Sequence, residues 1–242
     1  MCLRATRTLV LLLPLLGTEV AAVQRTGVPL VWYAAGGASL FNMVKLNERL
    51  DRLGFAELES WAGILGLGED LRVGRVIVGH QFTVGLWPGE VAGGRQTTLT
   101  TVYWRIHAGV DILPHAVRSL ELFPLVGTGA GVIALTINPE TRAFDQLLQA
   151  PAPAKPIGQI HYLVSVGAGL DYTARLPFPF PAPTLGARVG FVLQVTDYDD
   201  WWRNGTRLGD GPKQRLNSLY LMGVVGIRRW MKWRRRRCGE SR

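Results

Sequence analysis

Residues Leu125–Ala134 read LVGTGAGVIA, and two different architectures place glycines this way behind an apolar run. A dinucleotide-binding turn needs G-x-G-x-x-G opening a helix, so that backbone amides can approach a pyrophosphate. Gly127, Gly129 and Gly131 are instead strictly alternate, which puts them together on one face of a strand. The triplet GAG recurs at Gly167–Gly169, in a second alternating stretch, and a phosphate loop does not explain that repetition.

The period of two extends far beyond this segment. In TTLTTVYWRIHAGVDI (Thr97–Ile112), Val102, Trp104, Ile106, Ala108, Val110 and Ile112 share one face, opposite Tyr103, Arg105, His107, Gly109 and Asp111. Similar alternation runs over Gln159–Thr173 and Leu185–Thr196. Shorter or noisier strands are expected at Val28–Gly36, Trp61–Gly68, Arg72–Trp87, Ser119–Thr136 and Ser218–Ile227, giving eight. In the last, Tyr220, Met222 and Val224 compete with Leu219, Leu221, Val225 and Ile227 for the apolar face.

One amphipathic helix interrupts the strands near residues 40–53, with Ser39 as candidate N-cap, Gly54 as its stop, and Met43, Leu46, Leu50 and Leu53 on one face. It either packs on the rest of the fold, even inside the barrel, or meets a partner outside. Connections alternate in length: 37–60, 88–96, 137–158 and 197–217 are long, whereas 69–71, 113–118 and 174–184 are short or proline-rich. Long and short connections therefore fall at opposite ends of the sheet, as in an up-and-down transmembrane β-barrel. The expected fold is all-β and antiparallel.

A soluble sandwich also alternates, but its polar face meets bulk water and should be crowded with Lys and Glu. Here the polar faces carry Gly, Ser, Thr and Gln with few charges, as a confined lumen would. Arg75, Arg105, His107, Asp111, Glu121, His161, Asp171 and Arg188 form a candidate lumenal polar network, in which opposite charges must pair because a lone buried charge costs several kcal/mol. Eight strands enclose a space just wide enough for side chains to fill, so a plugged barrel is expected rather than an open pore. His80 breaks the pattern by falling among Val76, Val78, Phe82 and Val84; a bulge or an interfacial position would account for it.

The runs FPLVGTGAGV (Phe123–Val132), GQIHYLVSVGAGLDY (Gly158–Tyr172) and GDGPKQRLNSLYLMGVVGI (Gly209–Ile227) resemble small bacterial outer-membrane β-barrel proteins. The likeness covers Trp61–Ile227 and implies fold and a cell outer-membrane location in a Gram-negative bacterium, with outer-membrane lipids and the barrel-assembly machinery as partners. Two features depart from it. Such barrels end on an aromatic residue, a role left here to Trp230, after which twelve mostly basic residues follow. Pro124 lies inside an expected strand and argues for a bulge, since proline cannot donate to the ladder.

The termini read differently from the body. Residues 1–22 have Arg4 and Arg7 in front, the apolar run Thr8–Leu16, and the small-residue site Val20-Ala21-Ala22, the pattern of a cleaved signal peptide. The apolar run is short of the ~20 residues that a spanning helix needs. The barrel is then expected over 23–230 and a basic tail over 231–242. The formal net charge is +9; removing residues 1–22 and 228–242 leaves a body of about +1. Nucleic acid is thus not an expected partner. The tail is expected to contact anionic lipid or cell wall, or to be solvated without a specific partner. Cys2 and Cys238 make no disulfide framework, and no metal or cofactor spacing occurs.

Three functions follow as expectations. The first is a structural or surface-interaction role for a closed barrel presenting its loops outside the cell. The second is a lipid-modifying enzyme of the lipid A deacylase or acyltransferase kind, with candidates His161 with Ser165 and His107 with Asp111. Each pair is four residues apart on a strand, about 13 Å, so only cross-strand pairing could assemble a site. The third is a secreted, soluble lipocalin-like carrier. In the loop Thr196–Thr206, Asp197, Asp199 and Asp200 lack the calcium-loop spacing, and a solvated loop with aromatics at headgroup level is expected instead.

Overall fold

A computed structural model describes residues 28–87, 89–113, 119–139, 156–174, 181–195, 201–208, 215 and 217–231. Residues 1–22, expected to form a signal peptide, as well as Asp197, Asp199 and Asp200 and the residues from 232 with Cys238, lie outside the described residues.

Eight long strands form a closed antiparallel barrel: β1 (Val28–Phe41), β2 (Trp61–Val73), β3 (Val76–Leu86), β5 (Arg95–Val110), β6 (Leu120–Pro139), β7 (Ile157–Thr173), β8 (Ala182–Gln194) and β11 (Ser218–Met231). Each pairs with the next in this order, and β11 returns to β1, with Val28 opposite Met231. Short strands extend the long-connection end: β4 (Glu90–Ala92) pairs with β5, and β9 (Trp201–Arg203) with β10 (Thr206–Leu208). Asn204 and Gly205 join β9 to β10 at φ 52° and 78°, the left-handed pair that an Asn-Gly hairpin turn requires. Among the described residues no helix is long and apolar enough to cross a membrane.

The register fixes the barrel's shape. Followed across each pairing from Leu30, the circuit passes Leu71, Val78, Ala108, Val126, Val166, Phe191 and Leu219, and returns at Leu40, ten residues further along β1. Such a stagger tilts the strands by roughly 40° and leaves an interior that side chains can fill. Inward positions on β1 are Val31, Tyr33, Ala35, Ser39 and Phe41, all buried. In β11 the competition is settled: Tyr220, Met222 and Val224 point inward, and Leu219, Leu221, Val225 and Ile227 outward.

Four expectations are corrected in detail. The first turn is Gly74-Arg75, with Gly74 at φ 59°, so Arg72 belongs to β2, which runs on to Val73, instead of beginning the next strand. Ser39 does not cap the helix; it sits within β1, held by ladders on both sides, and its Oγ donates to the Leu219 carbonyl at 3.1 Å. The helix, α1 (Val44–Arg52), has Met43 at its N-cap position and ends before Gly54 at φ 73°. Pro124 makes no bulge: β6 stays in register with β7 through it, and the ladder to β5 ends at Leu125, so no neighbour there needs its missing N–H. His80 likewise sits in an unbroken register.

Candidate functional site: a charged lumen beneath a helical plug

The inward positions near the short-turn end bring Asp70 and Arg72 of β2, His107 of β5, Glu121 and Phe123 of β6, Asp171 of β7, Arg188 of β8 and Arg228 of β11 into one cluster. Asp171, fully buried, is gripped by Arg188 through both oxygens, with Nη2 to Oδ2 at 2.9 Å, and takes a further bond from Arg72 at 2.5 Å. Asp70 accepts a contact from His107 Nε2 at 2.8 Å and lies 3.5 Å from Arg188 and 3.7 Å from Arg72. Glu121 meets Arg72 and accepts from Arg228 at 2.7 and 2.8 Å. The Phe123 ring lies beneath the guanidiniums of Arg188 and Arg72, 4.7 and 5.5 Å from its centre. Each carboxylate thus meets two or more cationic or imidazole groups, the arrangement that offsets the cost of removing charge from water.

Glycines make the space. A methyl on Gly169 would stand 2.6 Å from Phe123 Cζ, and one on Gly79 would stand 2.8 Å from His107 Nε2. The alternating glycines of β6 serve the same end: a Cβ on Gly127 would come within 2.8 Å of Ser165 Oγ, and one on Gly131 within 2.8 Å of Tyr103 Cβ.

Above the cluster, Arg105 donates to Gln81 at 2.8 Å and lies 4.7 Å from the Tyr220 ring centre. A void of about 10 Å³ remains between Gln81, Arg105, His107, Ser165, Arg188 and Tyr220, room for one water at most. Val31, Tyr33, Ile64, Tyr103, Leu163 and Met222 fill the rest of this layer. His161, fully buried further up, has no hydrogen-bond partner on either ring nitrogen among the described residues.

At the long-connection end α1 closes the barrel. Met43, Leu46 and Leu50 pack against Phe41, Trp87, Leu99, Ile133, Leu135 and Trp201 of the inner wall and rim. Asn47 anchors the helix to the return segment through both ends of its amide, donating to the Leu58 carbonyl at 2.8 Å and accepting from its N–H at 3.0 Å.

Of the eight candidate lumenal residues, His107, Glu121, Asp171 and Arg188 belong to the connected cluster, and Arg105 borders the same void. His161 lies apart from it. Arg75 stands in the β2–β3 turn, where its carbonyl accepts from Asp111 N–H at 2.7 Å. Asp111 in turn accepts from the Leu113 and Leu122 amides at 3.1 and 3.2 Å, so these two close the short-turn end. Asp70, Arg72 and Arg228 are the members that sequence reasoning missed. Their signal is continued alternation: Ile64, Gly66, Gly68, Asp70 and Arg72 along β2, and Tyr220 through Gly226 to Arg228 along β11.

The outer wall has the opposite character. Trp32, Leu65, Leu67, Val126, Leu221 and Val225 are among a continuous set of exposed apolar side chains, far more than the few hundred Å² of apolar patch a soluble surface carries. Among the described residues, an ionisable pair interrupts it on β2 and β3: Glu69 and His80 face outward on neighbouring strands, with Oε1 to Nε2 at 3.2 Å. A groove of about 630 Å³ opens beside them, flanked by Trp32 and Phe82 with Ala34 at its floor.

A charged, filled inside and an apolar outside define a membrane-spanning β-barrel of the closed, eight-stranded kind. Solved structures similar to it include the attachment invasion locus protein Ail of Yersinia pestis, at 13% identity over 84% of this chain and 99% of that one, with a TM-score of 0.44. Neisserial surface protein A is similar at 12% identity over 84% and 97% of the two chains, with a TM-score of 0.42. A major outer membrane protein of Thermus thermophilus is similar at 12% identity over 83% and 99%, with a TM-score of 0.46. No family model matches the chain, and no curated protein sequence does.

Proposed function

We propose that this protein is a sealed barrel of the bacterial outer membrane with a structural or surface-interaction role, its long connections and α1 facing outside the cell. The observation that carries this reading is the continuous filling of the interior, from the charged cluster through the tyrosine layer to the helical plug. A carrier of the lipocalin type needs an apolar cavity and a polar exterior, the reverse of this arrangement. A lipid-modifying site would need room for an ester beside its base; His107, paired with Asp70, borders only the void of about 10 Å³.

Insertion would run through the barrel-assembly machinery, with Trp230, opposite Pro29 in the closing pair of strands, as its aromatic landmark. The basic tail would leave at the short-turn end and lie against anionic lipid or cell wall. The test is fractionation followed by bilayer recording. The reading expects recovery from the outer-membrane fraction only with detergent, a gel mobility that changes on heating, and no conductance steps. Recovery in solution without detergent, or stable channels, would overturn it.

A further inference from the structure

The Glu69–His80 pair does not fit a wall that faces only lipid. Glu69 stands four residues before the end of β2 and His80 four residues after the start of β3. At ~3.3 Å per residue and ~40° of tilt, both lie roughly 10 Å inside the short-turn edge of an apolar band ~25 Å tall. Apolar side chains continue outward on both sides of them: Val73 and Val78 toward the short turn, Leu67 and Phe82 toward the other end. Acyl chains offer no hydrogen-bonding group at that depth, yet the two side chains are 42% and 45% exposed, and His80 Nδ1 has no partner among the described residues. An ionisable pair in such a position marks a functional surface.

We propose that this face, centred on β2 and β3, is the interface through which two copies of the chain associate within the membrane. The proposal rests on the membrane-spanning reading above. Its warrant is self-complementary charge. A two-fold axis along the membrane normal, passing between Glu69 and His80, sets Glu69 of one copy against His80 of the other, and the reverse contact forms with it. The two internal pairs become a four-membered hydrogen-bonded ring that shields all its members from lipid. The residues nearest that axis are apolar: with the strands tilted by ~40°, Leu71 lies below the pair and Phe82 above it, so side chains of the two copies meet on both sides of the ring. The groove between Trp32 and Phe82 gives the facing copy a recess. A lipid would fill the recess but leave the polar pair with nothing to meet.

The experiment uses the full chain, purified in mild detergent and in nanodiscs, with mass measured by sedimentation. Wild type should dimerise. Glu69→His and His80→Glu, which set like groups against each other, should each weaken dimerisation at least tenfold. The double exchange, which restores complementarity, should return it to within about threefold of wild type. Glu69→Leu with His80→Leu should remain a heat-modifiable barrel and be monomeric, which keeps the test decisive if a charged single variant fails to fold. In a background lacking Cys2 and Cys238, Leu71→Cys, beside the proposed axis, should cross-link under copper phenanthroline, and Val126→Cys, on β6 away from it, should not. A heat-modifiable, membrane-inserted protein that stays monomeric, with or without lipid retained on the groove, would overturn the interface alone. So would dimers indifferent to both single exchanges. A protein recovered in solution without detergent would overturn the membrane reading instead.

Discussion

Arg188 holds Asp171 by both carboxylate oxygens across the β7–β8 pair, while Arg72 reaches the same carboxylate from the opposite wall. Removing this single anion leaves the buried Arg188 without its main partner and takes one of three carboxylates from Arg72. Asp171→Ala should therefore destabilise the barrel by ~3–5 kcal/mol, read as a lower urea midpoint for loss of heat-modifiable mobility. Asp171→Leu combined with Arg188→Leu should cost less than Asp171→Leu alone, because the double change removes opposite charges together. An additive pair of losses would show that the two residues are not coupled.

Space in the lumen is as specific as charge. Gly169→Ala drives a methyl against the Phe123 ring, which is wedged beneath two guanidiniums and cannot swing away; a loss of ~1–3 kcal/mol is expected. Gly63→Ala, facing outward with nothing within 4 Å, should change stability by less than ~0.5 kcal/mol. Equal effects of the two substitutions would contradict the assignment of inner and outer faces.

The apolar exterior makes its own prediction. Val126 is outward-facing and 61% exposed, six residues from the short-turn end of β6, which at ~3.3 Å per residue and ~40° of tilt sets it about 15 Å into the apolar band. Val126→Arg should cost ~2–4 kcal/mol in liposomes, whereas in a water-soluble barrel an exposed substitution of this kind is near neutral. Urea unfolding of the two forms in lipid separates these outcomes.

The plug and the charged cluster block the lumen independently. Leu46→Asp with Leu50→Asp should release α1 from the inner wall, so that residues 42–58 become sensitive to added protease while the barrel stays heat-modifiable. Bilayer recordings should remain silent, because the cluster around Asp171 is untouched. Channels appearing in this variant would show that the helix is the sole seal.

Most of the barrel was legible because a lipid-facing wall and a confined lumen each impose a period of two, as Val102–Ile112 shows. The errors arose where local signals compete with strand pairing. Ser39 looks like a helix cap, yet the β11 ladder extends β1 past it. Asp70 looks like a turn residue beside Gly68 and Arg72 like the start of the next strand, yet the left-handed turn is at Gly74. For Ser39 the winning term is a row of backbone hydrogen bonds to β11, distant in sequence; for Asp70 and Arg72 it is the β2–β3 hairpin ladder, which runs past Gly68 to the turn at Gly74. The cluster was only partly legible for the same reason: Arg228 reads as the first residue of a basic tail until its partner Glu121, on another strand, is in view. The reversed polarity of Glu69 and His80 was visible only as one anomalous histidine, because its carboxylate partner sat in what was read as a turn.

The seam between β1 and β11 joins the first strand of the barrel to its last, with Val28 opposite Met231. Its closure waits for β11, and pairing at such a sequence distance is slow. Arg228 arrives with that final strand, and Glu121, already on β6, receives its bidentate partner only then. An unfinished sheet would therefore carry an under-neutralised carboxylate together with an open edge, and the last zipping event removes both. The ion cluster thereby ties the electrostatic completion of the molecule to its topological completion, favouring the closed barrel over an open sheet of the same strands.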